Sequence, residues 1–80
     1  MALNDIQAPD LGKAPTTSDI ILKFIRAAIA DGVLDEGQPI RQDEVAKLFN
    51  VSKIPVREAL KRLEAEGLVE FHRNRGAVVT

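Results

Sequence analysis

The sequence has no cysteine, tryptophan or tyrosine and only one histidine. The absence of cysteine excludes disulfides and cysteine metal sites, and it fits a reducing cytoplasm. The single His72 leaves no nucleophile–base pair, and we find no glycine-rich phosphate loop, so the sequence argues against an enzyme. No run approaches the roughly 20 apolar residues that span a bilayer, and no signal peptide is visible. We therefore expect a cytoplasmic protein with no catalytic residue, cofactor or metal and no membrane association.

Length and charge describe one small domain with a modest charge asymmetry. The chain has 80 residues, of which 45% are hydrophobic and 29% charged, as in globular proteins. Residues 1–50 carry five Lys/Arg and eight Asp/Glu, a net charge of −3. Residues 51–80 carry six Lys/Arg and four Asp/Glu, a net charge of +2. The overall charge of −1 is a weak test of nucleic-acid binding, because binding depends on cations placed on one surface.

The stretch from residue 51 to residue 68 predicts one helix with two unlike faces. Ser52 can act as the N-cap, and Gly67 can end the helix in the left-handed conformation. A single apolar stripe follows the spacing i, i+3, i+4, i+7 and consists of Val56, Ala59, Leu60 and Leu63. Well away from this stripe lie Lys53, Ile54, Arg57 and Lys61. A helix with such an exposed cationic face is typical of the base-reading helix of a helix-turn-helix.

Two further helices are predicted before this one. The first is capped by Thr17 or Ser18 and ends at Asp31-Gly32. The second runs from about residue 42 to residue 49, and Asn50 follows it where a helix favours glycine or asparagine in the left-handed conformation. Its inward residues are predicted to be Val45, Leu48 and Phe49, with the small Ala46 between them.

The last segment predicts a β-hairpin. Residues 68–72 and 77–80 are expected to form two strands, joined by a turn at residues 73–76 with arginine at positions 73 and 75. A two-stranded hairpin after the recognition helix is a wing, and arginines at its tip suit contact with phosphate or the minor groove. Residues 39–41 can add a short extended edge segment. Residues 1–17 predict a flexible arm, and residues 18–80 predict the folded domain.

The sequence resembles the DNA-binding domain of GntR-family bacterial transcription regulators, closest to the FadR-like branch. The resemblance covers roughly residues 18–80. The matching segments are Ile29–Leu34 with Gly37, Glu44–Ala46, Val51–Lys53, Pro55–Leu60, Arg62-Leu63, Glu66–Val69 and Asn74–Ala77.

This resemblance implies a winged helix-turn-helix, mainly α with a small β-hairpin, that binds a pseudo-palindromic DNA operator as a homodimer. By position, Ser52, Lys53 and Arg57 match recognition-helix residues of the family, and residues 75 and 76 match the wing tip. It also implies a C-terminal domain that binds a small-molecule effector and dimerises, which this sequence lacks. Lys53 departs from the family's usual arginine and provides a point charge in place of a bidentate contact. Asp43 stands where some members have a DNA-contacting arginine, and we assign it no DNA role.

The exposed face is compatible with two functions. The first is sequence-specific binding of double-stranded DNA, and the second is a winged helix used for protein–protein contact. Only Ile54, an apolar residue on this face, favours protein–protein contact, although it can equally contact a thymine methyl group. The cations favour DNA, and the predicted DNA-contacting residues are Ser52, Lys53, Ile54, Arg57, Lys61, Arg73, Arg75 and Gly76.

Overall fold

The structure is a computed structural model that describes Gln7, residues 15–73 and residues 76–80 of the chain. Most of the predicted arm lies outside the described residues. The described part contains, in chain order, α1 (Thr17–Ala30), β1 (Pro39–Ile40), α2 (Gln42–Phe49), α3 (Lys53–Ala65), β2 (Val69–His72) and β3 (Gly76–Val79).

Helix α1 begins one residue earlier than the sequence predicts. Thr16, not Thr17 or Ser18, is the N-cap, and its hydroxyl accepts a hydrogen bond from the backbone N–H of Asp19 at 3.2 Å. The Asp19 carboxylate in turn accepts from the backbone N–H of Thr16 at 2.9 Å, which completes a capping box. The prediction missed this pair because three consecutive residues, Thr16 to Ser18, can each cap a helix, and only the reciprocal bond to Asp19 decides between them.

The turn between α2 and α3 is set by one left-handed residue. Asn50 has φ 55° and ψ 49°, as predicted, and the half-buried Val51 packs against the core behind it. Ser52 occupies the N-cap position of α3, but its side chain makes no capping hydrogen bond. The predicted hydroxyl cap is therefore wrong, although the predicted helix start is confirmed.

The core lies where the apolar stripe of α3 meets α1 and the sheet. All four predicted stripe residues of α3 are fully buried, and they pack with Ile21, Leu22 and Ile25 of α1. Ala46 of α2 is buried as well. Leu48 was predicted to point inward, but it is 68% exposed, because α2 meets the core along Val45, Ala46 and Phe49.

The hairpin belongs to a three-stranded antiparallel sheet with strand order β1-β3-β2. β2 runs over residues 69–72 and begins one residue later than predicted, and β3 runs over residues 76–79 and both begins and ends one residue earlier than predicted. Gly76 was predicted in the turn, yet it opens β3 opposite His72 with φ 69°. On the other side, β1 pairs Ile40 with Ala77, so β3 is fixed, close to the hairpin turn, to the segment that precedes α2. This pairing places the start of α2 beside the hairpin.

Candidate nucleic-acid interface

The outer face of α3 carries the predicted contact residues together. Lys53, Arg57 and Lys61 recur every four residues, so with Ile54 they lie within about 100° of the helix surface. All four are exposed, and the Ile54 side chain is 70% exposed. With Glu58 they line a cleft of about 380 Å³. A protruding apolar residue flanked by cations suits a groove that is lined by phosphates and contains methyl groups.

The cations of this face differ from the other α3 arginine in their partners. Lys53, Arg57 and Lys61 form no ion pair with any carboxylate in the described part of the chain. The alternative in which Arg57 merely pairs with Glu58 or Asp43 therefore has no support among the described residues. No carboxylate of residues 15–73 and 76–80 is bonded to these three side chains.

By contrast, two arginines form ion pairs within the domain. Arg62 of α3 donates to Asp19 of α1 at 2.5 Å, and Arg26 of α1 donates two hydrogen bonds to Glu66 beyond α3, at 3.0 and 2.7 Å. The Arg62 hydrogen bond, with those from Thr16, lowers the pKa of the Asp19 carboxyl to about 2. The Arg26 hydrogen bond lowers the pKa of Glu66 and raises that of Arg26. These charges fasten α1 to α3 and are not part of the outer face.

A second cleft separates α3 from β2. It has a volume of about 510 Å³ and is lined by Gln42, Arg57, Lys61, Glu64 and Phe71. A third cleft, of about 460 Å³, lies where the start of α2 faces the turn end of the hairpin. It is lined by Pro39, Ile40, Arg41, Gln42, Asp43, Gly76 and Ala77. No sequence pattern points to Gln42 as a site residue, because only the folded structure places it beside both α3 and the hairpin.

The structure describes two of the three hairpin residues that were predicted to contact DNA. Arg73 is exposed and directly follows β2, and Gly76 is exposed at the edge of the third cleft. Arg75 lies outside the described residues, so its predicted contact is untested. His72 pairs with Glu70 on β2, with His72 Nε2 3.3 Å from a Glu70 carboxylate oxygen.

Ser52 is exposed at the N-cap of α3, and its hydroxyl makes no hydrogen bond to the described residues. It is therefore available to a ligand at the same helix end as Lys53. Across residues 15–73 and 76–80, no cluster of three or more His, Cys, Asp or Glu side chains could hold a metal ion. No helix of the described chain is both long and apolar enough to cross a membrane.

Three helices with a turn between the last two, followed by a strand hairpin, define a winged helix-turn-helix domain. The chain matches the family described as "Bacterial regulatory proteins, gntR family" over residues 17–79. This protein belongs to that family.

Relatives and solved structures agree with this assignment. The chain is 37% identical over 59 residues to the HTH-type transcriptional repressor RspR of Escherichia coli K12, covering 74% of this chain and 26% of RspR. A GntR-family regulator structure from Pseudomonas syringae pv. tomato DC3000 is 43% identical, with a TM-score of 0.74, over 92% of this chain and 30% of that one. The AraR DBD, solved in complex with operator ORX1, shares the fold at 24% identity and a TM-score of 0.79, covering 94% of this chain and 92% of that one. The chain thus spans less than a third of the length of RspR and of the Pseudomonas regulator.

Proposed function

We propose that this chain is the operator-reading domain of a ligand-responsive bacterial transcription regulator. It binds double-stranded DNA with α3 in the major groove and the hairpin on the flanking backbone or minor groove. The observation that carries this proposal is the outer face of α3, where three cations without a described ion-pair partner surround the exposed Ile54. In a helix-turn-helix, this second helix is the element that enters the groove.

Each residue of this face has a role that follows from its chemistry. Arg57, near the middle of the exposed face, can donate two parallel hydrogen bonds to the O6 and N7 atoms of guanine. Ile54 can contact a thymine methyl group, and the Ser52 hydroxyl can donate to a phosphate or a base. Lys53 and Lys61 act as point charges that neutralise phosphates and position the helix.

The hairpin contributes contacts outside the major groove. Arg73, and by prediction Arg75, place positive charge at the end of the hairpin, where it can follow phosphates or enter the minor groove. Gly76 opens β3 in a conformation that other residues adopt only with strain. These contacts add affinity that depends weakly on sequence.

The family and the length of the relatives support a proposal about the intact regulator. RspR is named a repressor, and the present chain covers only about a quarter of it. We infer that the intact regulator has a further domain, as expected for the FadR-like branch, that binds a small-molecule effector and forms a homodimer. The 80-residue DNA-binding domain acts in the cytoplasm by binding and not by catalysis. A dimer places two recognition helices on two half-sites and raises affinity through effective concentration.

A salt titration tests the proposal directly. The binding of the chain to a short duplex of random sequence is followed by fluorescence anisotropy at several salt concentrations. If Lys53, Lys61 and Arg73 each neutralise one phosphate, the slope of log K against log salt is about −3, at about −0.9 per phosphate. Lys61→Ala then reduces the slope by about one unit, whereas Lys23→Ala, on the exposed side of α1, leaves it unchanged.

The second candidate function is a winged helix that binds another protein, which the exposed Ile54 favours. The same titration separates the two. Absence of duplex binding at low salt by the folded chain supports the protein–protein function and contradicts the proposal.

A further inference from the structure

Gln42 lies where the start of α2, the outer face of α3 and the hairpin meet. It is the first residue of α2, and it lines both the cleft shared with Arg57 and Lys61 and the cleft shared with Gly76. The pairing of Ile40 with Ala77 fixes the backbone just before it, and the Arg41 carbonyl accepts from Val45 N–H at 3.1 Å in the first turn of α2. The position of Gln42 is therefore held by both sheet and helix.

Within the described part of the chain, no hydrogen bond uses the Gln42 amide. The side chain is half-buried, yet it makes no hydrogen bond to any residue in the described ranges. No buried polar side-chain atom in those ranges lacks a partner, so the Gln42 amide is accessible within the clefts. Gln38 provides the contrast within the chain, because its Oε1 accepts from the backbone N–H of Asp35 at 3.1 Å and stabilises the turn before β1.

We propose that Gln42 is a specificity-determining residue that hydrogen-bonds a base edge in the major groove beside Arg57. This inference rests on the DNA-binding function proposed above. A glutamine amide both donates and accepts, and this combination matches N7 and N6 of adenine. A phosphate is the less suitable ligand, because Asp43 and Glu44 follow directly in the same turn and repel it. Gln42 extends the reading surface from α3 to the start of α2.

Selection from a pool of random duplexes tests this inference. The parent chain, Gln42→Ala, Gln42→Glu and the control Gln38→Ala are each used to enrich binding sites, which are then sequenced. Gln42→Ala retains the parental site but loses discrimination at one base pair, by about 5- to 150-fold, the range expected for one bidentate contact. Gln42→Glu, which only accepts, shifts the preference at that base pair towards cytosine, whose N4 group donates. Gln38→Ala leaves the selected site unchanged.

The outcomes separate this inference from the function on which it rests. If the folded parent enriches no site and binds no duplex, the DNA-binding function itself fails. If the parent enriches a site and both Gln42 variants enrich the same site with the same preferences, the role of Gln42 is overturned and the DNA-binding function stands. Equal weakening on selected and random duplexes also overturns it, since that result indicates a phosphate contact. Circular dichroism on each variant confirms that the fold is intact.

Discussion

Arg26 of α1 and Glu66 at the end of α3 are joined by two parallel hydrogen bonds of 3.0 and 2.7 Å, across 40 residues of sequence. The Arg62–Asp19 pair lies along the same two helices. The cations of α3 therefore fall into two groups that lie on different faces of the helix. Arg62 stabilises the packing against α1, while Lys53, Arg57 and Lys61 face outward. The same helix thus carries one charge that is paired within the fold and, on its outer face, the charges that we propose bind DNA.

The two ion pairs predict a stability that falls in acid. The pKa of Asp19 is lowered from 3.8 to about 2, and that of Glu66 is also lowered, by hydrogen bonds that exist only in the folded state. This contribution is fully present above the unfolded pKa values and is lost as pH falls through the folded ones. We expect the Tm to fall between about pH 6 and about pH 2. The Asp19→Asn/Glu66→Gln variant has a lower Tm at the higher pH and a smaller fall. Parallel curves for parent and variant would refute this account.

Two apolar residues on opposite faces of α3 predict opposite phenotypes. Leu60 is fully buried, so Leu60→Ala lowers the free energy of unfolding by about 2–5 kcal/mol through lost burial and a cavity. Ile54 is 70% exposed, so Ile54→Ala changes that free energy by less than about 0.5 kcal/mol. Urea unfolding measures both. In a duplex selection, Ile54→Ala weakens any preference for thymine beside the Arg57 contact. A large loss of stability in Ile54→Ala would contradict the assignment of Ile54 to the outer face.

The left-handed Asn50 predicts a dependence on backbone conformation alone. Asn50→Ala places an alanine at φ 55° and costs about 1–2 kcal/mol of unfolding free energy. Asn50→Gly adopts this φ without steric strain and changes stability by only about 0.5 kcal/mol. Thermal and urea unfolding compare the two variants. Equal stability of Asn50→Ala and Asn50→Gly would mean that the turn conformation does not limit stability.

Arg57 and Arg62 predict a separation of binding from stability. Arg57→Ala weakens binding to a selected duplex by about 1–3 kcal/mol while leaving the Tm unchanged, because Arg57 has no ion-pair partner among the described residues. Arg62→Ala lowers the Tm through loss of the Asp19 pair, and the folded variant keeps its duplex affinity. Anisotropy and thermal melts on the same samples provide both numbers. Unchanged affinity in Arg57→Ala would remove Arg57 from the interface.

Local signals predicted most of the helical scaffold. The residue types at Asn50 and Gly67 favour the left-handed conformation, and both positions adopt positive φ, of 55° and 78°. The apolar stripe of α3 is buried as its spacing predicts, because a long amphipathic helix has only one face to pack. The residues of the exposed outer face could then be predicted as those that lie opposite the buried stripe.

The features that the sequence did not reveal depend on contacts between distant residues. Leu48 fits the apolar spacing of α2 but is exposed, since spacing does not show how far the opposing surface extends along a short helix. β1 has two residues, too few for an alternating pattern, so its pairing with β3 could not be predicted as a register. Gln42 became a candidate only through that pairing. The Arg26–Glu66 pair joins residues that no periodicity relates.

Mapping the interface by NMR tests whether α3 is the helix that contacts DNA. The ¹⁵N-labelled 80-residue chain is titrated with a duplex obtained by selection, and backbone amide shifts are followed. We expect the largest changes on the amides of residues 52–61 other than Pro55, which has none, and on Arg73 and Gly76, with a further change at Gln42. The exposed side of α1, marked by Ile20 and Lys23, changes little. Changes concentrated on that side of α1, with α3 unaffected, would contradict the assignment of α3 as the DNA-reading helix.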